Sequence, residues 1–216
     1  YGVEAGDAAG NWSLATNLTF NVVATTGGID TTPPVVTPGQ NFSYAENQVD
    51  GNVIATVAAS DAWGVNGYQF SDSSSATSLD TYFTISSDGQ ISITAAGVLA
   101  GVAQNDFETG LNSFTYGIQA RDAAGNWSAS ENIVLNVTDI NENPTDIALS
   151  ASAVDENSAA DTVIATLTTV DPDGAASGFA GPFTYELVAG DGTNDADNGL
   201  VKVVGDQLQV AGSIDF

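Results

Sequence analysis

The sequence predicts an all-β protein made of tandem Greek-key β-sandwich repeats of about 110 residues. Three observations carry this. The chain resembles itself: YGVEAGDAAGNWS at 1–13 returns as YGIQARDAAGNWS at 116–128, an offset of 115. AENQVDGNVIATVAASD at 45–61 returns as DENSAADTVIATLTTVD at 155–171, an offset of 110. Within the repeats, apolar residues alternate with polar ones, the period of a half-buried strand. These short runs are separated by Gly, Asn, Asp and Ser, the residues of turns.

Taken in order, residues 1–29 read as the last two strands of a repeat, because Leu18, Phe20 and Val22 fall on Ile133, Leu135 and Val137. Residues 30–138 read as a complete repeat. In it Val53, Ala55 and Val57 alternate, and Phe114, Tyr116, Ile118 and Ala120 alternate with Thr115, Gly117, Gln119 and Arg121. The best helix candidate, Ala95–Ala103, holds two glycines and is expected to give at most one turn. Residues 139–216 read as a third repeat lacking its last two strands, with Val163, Ala165 and Leu167 as a core-facing run. LVKVVGDQLQV at 200–210 matches YFTISSDGQISI at 82–93, and SIDF at 213–216 lies over NDFE at 105–108. An antiparallel sandwich without its last two strands is expected to expose sheet edges.

Composition removes whole classes of function. There are 27 Asp and Glu against 2 Lys and Arg, a net charge of −25, with no His, Cys or Met. Without imidazole or thiolate, most transition-metal sites and the Ser-His-Asp and Cys-His nucleophiles are excluded. So negative a chain does not bind nucleic acid or an anionic membrane, where Lys and Arg must neutralise phosphate. No apolar run is long enough to span a bilayer. With 43% hydrophobic and only 13% charged residues, the chain is not a disordered acidic tail.

The carboxylates stand at repeated positions. Glu46 falls on Glu156 and Asp61 on Asp171. Asp106-Phe-Glu108 lies in a loop, Asp171-Pro-Asp173 follows a strand, and Asp139-Ile-Asn141-Glu142-Asn143-Pro144 joins the second repeat to the third. In extended chain, D-x-D and D-x-E direct two side chains the same way. Such oxygen donors suit a hard cation with six to eight oxygen ligands. A solvated acidic surface is the plainer alternative.

On these motifs the chain resembles cadherin repeats, in the form found in large bacterial RTX-type surface adhesins. The carriers are Ala45-Glu46-Asn47 and Asp155-Glu156-Asn157, Asp171-Pro-Asp173, Asp106-Phe-Glu108, Ala120-Arg-Asp122 with its following glycine, and the D-I-N-E-N-P linker. Glu142 stands where the family usually has Asp. The resemblance implies a cadherin/immunoglobulin-like sandwich with Ca²⁺ ions between consecutive domains. It implies that Glu46, Asp106 and Glu108 serve the junction from below, Asp139, Asn141, Glu142 and Asn143 from the linker, the asparagines partly through backbone carbonyls, and Asp171 and Asp173 from above. The first junction departs from the pattern. Its linker, Gly27-Gly-Ile-Asp30-Thr-Thr-Pro-Pro34, resembles connectors of bacterial immunoglobulin-like repeats, and Trp63 replaces a carboxylate. One ion on Asp30, Asp61 and Asp122, or none, is expected there. Glu156 and Asp215 complete the candidate set as repeat counterparts of Glu46 and Asp106.

Other features have structural explanations. Trp12 and Trp127 recur in the repeat and are expected to pack at a loop between the last two strands, a sugar-stacking platform being the alternative. Trp63 is a lesser candidate for a partner contact, and Asp191–Gly199 reads as a solvated acidic loop. The expected protein is a non-enzymatic, calcium-stiffened extender of a long extracellular bacterial adhesin, in a marine or other calcium-rich setting. Its partners would be Ca²⁺, neighbouring repeats, and a surface glycan or protein. The rival readings are a carbohydrate-binding module and a filament in which identical chains join by strand complementation.

Overall fold

The computed structural model describes residues 2–17, 28–99, 101–173, 181–190 and 197–215. Leu18, Phe20, Val22, Gly27 and most of the acidic run 191–199 lie outside the described residues.

At the start of the chain, β1 (Gly2–Val3) pairs antiparallel with β2 (Thr16–Asn17). The turn between them is organised by one carboxylate. Asp7 accepts hydrogen bonds from the N–H groups of Ala9 (3.0 Å) and Asn11 (2.8 Å) and from the Asn11 side-chain amide (2.9 Å). An Asx side chain mimics backbone in this way wherever a turn leaves N–H groups unpaired.

Nine strands follow between residues 35 and 138: β3 (Val35–Val36), β4 (Asn41–Ala45), β5 (Val53–Thr56), β6 (Ala59–Ser60), β7 (Val65–Phe70), β8 (Phe83–Ile85), β9 (Gln90–Ile93), β10 (Ser113–Asp122) and β11 (Glu131–Thr138). One sheet runs β4-β11-β10-β7 and the facing sheet β5-β9-β8, with β3 and β6 as a short ribbon. The alternation read in the sequence becomes burial. Phe70, Phe83, Ile91, Ile118, Ile133 and Leu135 have no exposed surface, and Tyr116 meets Phe83 edge to face at 5.3 Å. The two buried tyrosines keep partners for their hydroxyls: Tyr44 donates to the Gln104 carbonyl (2.6 Å) and Tyr116 to Asp80 (2.7 Å).

Two local expectations are corrected and one is met. The sandwich is not wholly antiparallel, because β4 runs parallel to β11. The chain first pairs β3 with β6, then crosses at Gly39 (φ 70°) to the other sheet, where β4 lies along β11 in the same direction. Val53 is 53% exposed and Val163 is 47% exposed, since a register shift just before Ala55 and Ala165 turns them away from the core. The helix candidate yields a single α-type turn, Val98 N–H to the Thr94 carbonyl, and the one 3₁₀ segment among the described residues is Phe107–Thr109.

The third stretch forms one sheet, β12-β13-β15-β14, from β12 (Asp146–Leu149), β13 (Val163–Val170), β14 (Val201–Val204) and β15 (Gln207–Val210). The repeat is visible in the backbone. Asn47 and Asn157 share a left-handed conformation (φ 58° and 59°), and Asp161 (φ 68°) stands where the preceding repeat has Gly51 (φ 83°). All four residues of β12 are exposed, as expected of an edge without a covering sheet.

Cutting Ile118 to alanine removes a fully buried side chain and is expected to cost about 2–5 kcal/mol. Ile147→Ala, at an exposed strand position, is expected to stay within about 0.5 kcal/mol. Urea unfolding followed by tryptophan fluorescence measures both.

Candidate metal centre

Glu46 follows β4, and its N–H continues the parallel pairing to the Thr138 carbonyl (3.0 Å). Its carboxylate is turned inward and only 2% exposed. One oxygen accepts from Phe107 N–H (2.7 Å) and the other from Ile140 N–H (2.8 Å). Glu46 therefore ties the 3₁₀ turn to the linker that leaves β11. The left-handed Asn47 bonds Asn105 through its backbone N–H (3.1 Å) and reaches Glu142 with its side-chain amide.

The linker contributes Asp139 and Glu142. Carboxylate oxygens of Glu46, Glu108, Asp139 and Glu142 lie within 4.8 Å of one another. The third repeat contributes Asp173, which is 2% exposed and accepts the Glu142 N–H (2.9 Å). Asp171 accepts the Asp173 N–H (3.1 Å) and so orients that turn. Asp106 lines the same cavity of about 300 Å³ with Glu46, Glu108, Glu142 and Pro172. Asn141 and Asn143 are exposed, and the Asn141 amide donates to the Glu142 carbonyl (3.0 Å). Glu156 and Asp215 are exposed too and are not drawn into a cluster. Between them Asn157 N–H bonds the Ile214 carbonyl (2.7 Å), the same tie that Asn47 makes to Asn105.

Among the described residues of this group, four buried carboxylate oxygens have no hydrogen-bond partner: both of Asp139, one of Glu142 and one of Asp173. Stranding such atoms is costly unless a charge compensates. No cationic side chain does so. Of the 2 basic residues in the sequence, Arg121 lies over the Trp127 ring at 5.7 Å and Lys202 pairs with Asp161. The electrostatic result is uniform. Burial first, then the charges of Glu46, Glu142 and Asp139, push Glu108 up to about 7. Burial, then Asp173 and Glu46, raises Asp139. Burial also raises Glu142, against the hydrogen bond from Asn47 and with the charges of Glu46 and Asp173. A divalent cation with oxygen ligands would reverse all three effects.

A second group stands at the other end of the sandwich. Asp30, Asp61 and Asp122 bring carboxylate oxygens within 4.8 Å of one another. Asp122 is 1% exposed and repeats the Asp7 arrangement, accepting from Gly125 N–H (2.7 Å), Asn126 N–H (2.9 Å) and the Asn126 amide (2.7 Å). Burial pushes its carboxyl up, but these bonds together hold it below the usual range. The Asn126 amide also reaches the Asp30 carbonyl (3.2 Å), and Asp61 accepts the Trp63 N–H (2.8 Å). One Asp30 oxygen is buried without a partner.

The sequence reading missed two contributors. Asn47 was legible as part of x-E-N, yet its reach to Glu142 depends on a left-handed backbone that no motif records. The N–H donors of Phe107 and Ile140 carry no side-chain signal at all. The tryptophans stand at the hairpin loop as expected: Trp12, 69% exposed, bridges Gly6 and lays its ring against it, and Trp127, 37% exposed, bridges Arg121. Trp63 is 58% exposed.

No family model matches the chain. Among solved structures, human protocadherin-24 EC1-2 is similar over 85% of this chain and 79% of that one, with a TM-score of 0.60 and 18% identity. Drosophila N-cadherin EC1-4 gives a TM-score of 0.53 at 17% identity, covering 85% of this chain and 42% of that one. The protocadherin gammaB4 extracellular domain gives 0.52 at 21%, with 85% of this chain and 26% of that one covered. These likenesses establish a cadherin-like sandwich fold. In sequence, chitinase A1 of Niallia circulans is 33% identical over 133 residues, which is 61% of this chain and 16% of that protein. The chain thus spans about a sixth of this curated relative.

The raised carboxyls set the pH response of the metal-free protein. The contribution of Glu108 is fully present below its unfolded value of 4.5 and is lost as pH rises through about 7, because the folded state holds the proton longer; the raised Asp139 and Glu142 act in the same direction. In chelator, the urea midpoint is expected to fall between about pH 4.5 and 7 and to level off above. Glu108→Gln is expected to flatten that fall.

Proposed function

We propose that this chain is a calcium-stiffened extender segment of a long extracellular bacterial surface protein of the adhesin type. In this reading residues 1–29 are the end of one repeat, 30–138 a complete one and 139–216 most of another. The observation that carries it is the set of partnerless buried oxygens on Asp139, Glu142 and Asp173, converging with Glu46 and Glu108 where two repeats meet. Glu46, Glu108, Asp139, Glu142 and Asp173 would hold Ca²⁺, with Asp106 at the rim and Asp171 orienting Asp173. The cadherin-like fold supports the assignment.

The mechanism is linkage. A cation that binds the assembled junction and not the separated one stabilises the assembled geometry by its binding free energy. Extracellular calcium modules work at about 10⁻⁴–10⁻³ M, which calcium-rich fluids supply and a cytosol does not. Asp30, Asp61 and Asp122 offer fewer carboxylates, so the first junction would be the weaker. The role is mechanical, and the acidic pairs serve as ligands rather than as catalytic acid and base.

Calcium titration by calorimetry, with small-angle scattering of the same samples, tests this. Ca²⁺ is expected to bind in the stated range and to narrow the size distribution to an extended particle. Glu46→Gln is expected to weaken binding by about tenfold or more. Superimposable scattering profiles in calcium and in chelator would sink the proposal.

A further inference from the structure

A second cavity, of about 420 Å³, shares no lining residue with the acidic one at the linker. It lies where the chain crosses from β7 to β8, and so from one sheet to the other, against the start of β10. Its walls are of two kinds. Leu79, Phe114 and the Tyr116 ring are apolar, and Asp72, Asp80 and Gln104 are polar. Phe114 and Tyr116 are alternate residues of β10, so both rings turn to the core side, and Phe114 at its margin is only half-buried. Leu79 is 69% exposed although its neighbours are fixed: Ser78 is buried, and its hydroxyl donates to Asp80 and accepts the Phe83 N–H (3.0 Å). The leucine is thus held out at the lip, where it offers apolar contact without rearrangement.

The polar wall is negative. Asp80 accepts bonds from the Ser78 hydroxyl, the Tyr82 N–H (3.0 Å) and the Tyr116 hydroxyl (2.7 Å). A carboxylate has about four acceptor sites, so one is left for a donor in the cavity. Asp72 accepts the Ser73 N–H (2.8 Å) with one oxygen, and among the described residues no donor reaches the other. No cation of the chain answers these charges. Arg121 stands at the far end of β10 over Trp127, and Lys202 pairs with Asp161. Burial first, then Asp80, pushes the hydroxyls of Tyr44 and Tyr116 up, as an unanswered negative charge does.

We propose that this cavity binds an organic cation with an apolar stem, an alkylguanidinium or alkylammonium group, either free or as the arginine or lysine side chain of a partner. Such a group uses both kinds of wall. Its charged head makes charge-assisted hydrogen bonds to Asp72 and Asp80. Its stem covers Leu79, and the Phe114 ring faces a cation at low cost in solvation. A metal ion fits less well. Two carboxylates and one amide fall short of the six to eight oxygens that a hard cation takes, and the leucine and phenylalanine give it nothing. The volume is that of a small-molecule pocket.

The test is an NMR titration of the unaltered chain with butylguanidinium at about 0.15 M ionic strength, where exposed charges are screened beyond about 8 Å. Shifts are expected at the amides of Leu79, Asp80, Thr115 and Tyr116. Butylurea has the same shape without the charge and is expected to bind about tenfold more weakly. Methylguanidinium keeps the charge without the stem and is also expected to lose about tenfold. Asp72→Asn and Leu79→Ser change exposed residues, so the core stays intact, and each is expected to weaken binding about three- to fivefold. N-acetylarginine amide separates the two sources: binding within about threefold of butylguanidinium assigns the cavity to a partner's side chain, and weaker binding assigns it to a free cation. Butylguanidinium that does not bind, that binds no better than butylurea, or that shifts only the acidic groups at the ends of the sandwich overturns the proposal.

Discussion

Uncompensated negative charge at the linker between residues 138 and 144 is the constraint on which the rest of this structure depends. With 27 acidic and 2 basic side chains, the chain has no internal means of neutralising a buried carboxylate cluster. Two unit charges 4 Å apart repel by about 1 kcal/mol even in bulk water, and by more where water is scarce. Hydrogen bonds satisfy part of the cluster, as Glu46 shows by accepting from Phe107 and Ile140. They do not reach Asp139, whose two oxygens are buried without a hydrogen-bond partner. The remainder must come from protons or from a cation, and at neutral pH a cation is the stronger choice.

The sandwich exists in a form that delivers this cluster. Glu46 and Asp139 sit at the ends of β4 and β11, which run parallel and side by side, so both carboxylates emerge at the same end of one sheet. Ile133, Leu135 and Val137 on β11 are buried, and Tyr44 on β4 is buried beside them. Packing of those residues fixes where the acidic end points. At the opposite end, β10 finishes in Asp122, held by the turn through Asn126. One rigid core thus carries an acidic group at each pole.

Much of the candidate centre was legible as spacing. Glu46, Glu108, Asp139, Glu142 and Asp173 could all be picked from x-E-N, D-x-E, the linker and D-x-D, because a repeat preserves the order of loops at each end of a sandwich. Asn141 and Asn143 were picked on the same grounds, partly for their backbone carbonyls, and their side chains are exposed. Alternation in an extended linker turns neighbouring side chains to opposite sides, so Glu142 and its flanking asparagines cannot all face one cavity. Recurrence of Trp12 and Trp127 in D-A-A-G-N-W-S marked a local role at the hairpin, and both stand there.

By itself the sequence determined the period, the all-β class, the positions of the strands and the residue types available for chemistry. These follow from local properties: side-chain alternation, turn residues and the presence or absence of imidazole, thiol and amine. Tertiary structure decided what depends on neighbours distant in the chain. It paired β4 parallel to β11 and buried Glu46 against the Phe107 and Ile140 N–H groups. The physical reason is the same each time. A strand takes its hydrogen bonds, and a carboxylate its environment, from partners about 90 residues away, and a repeat motif describes only one side of that contact.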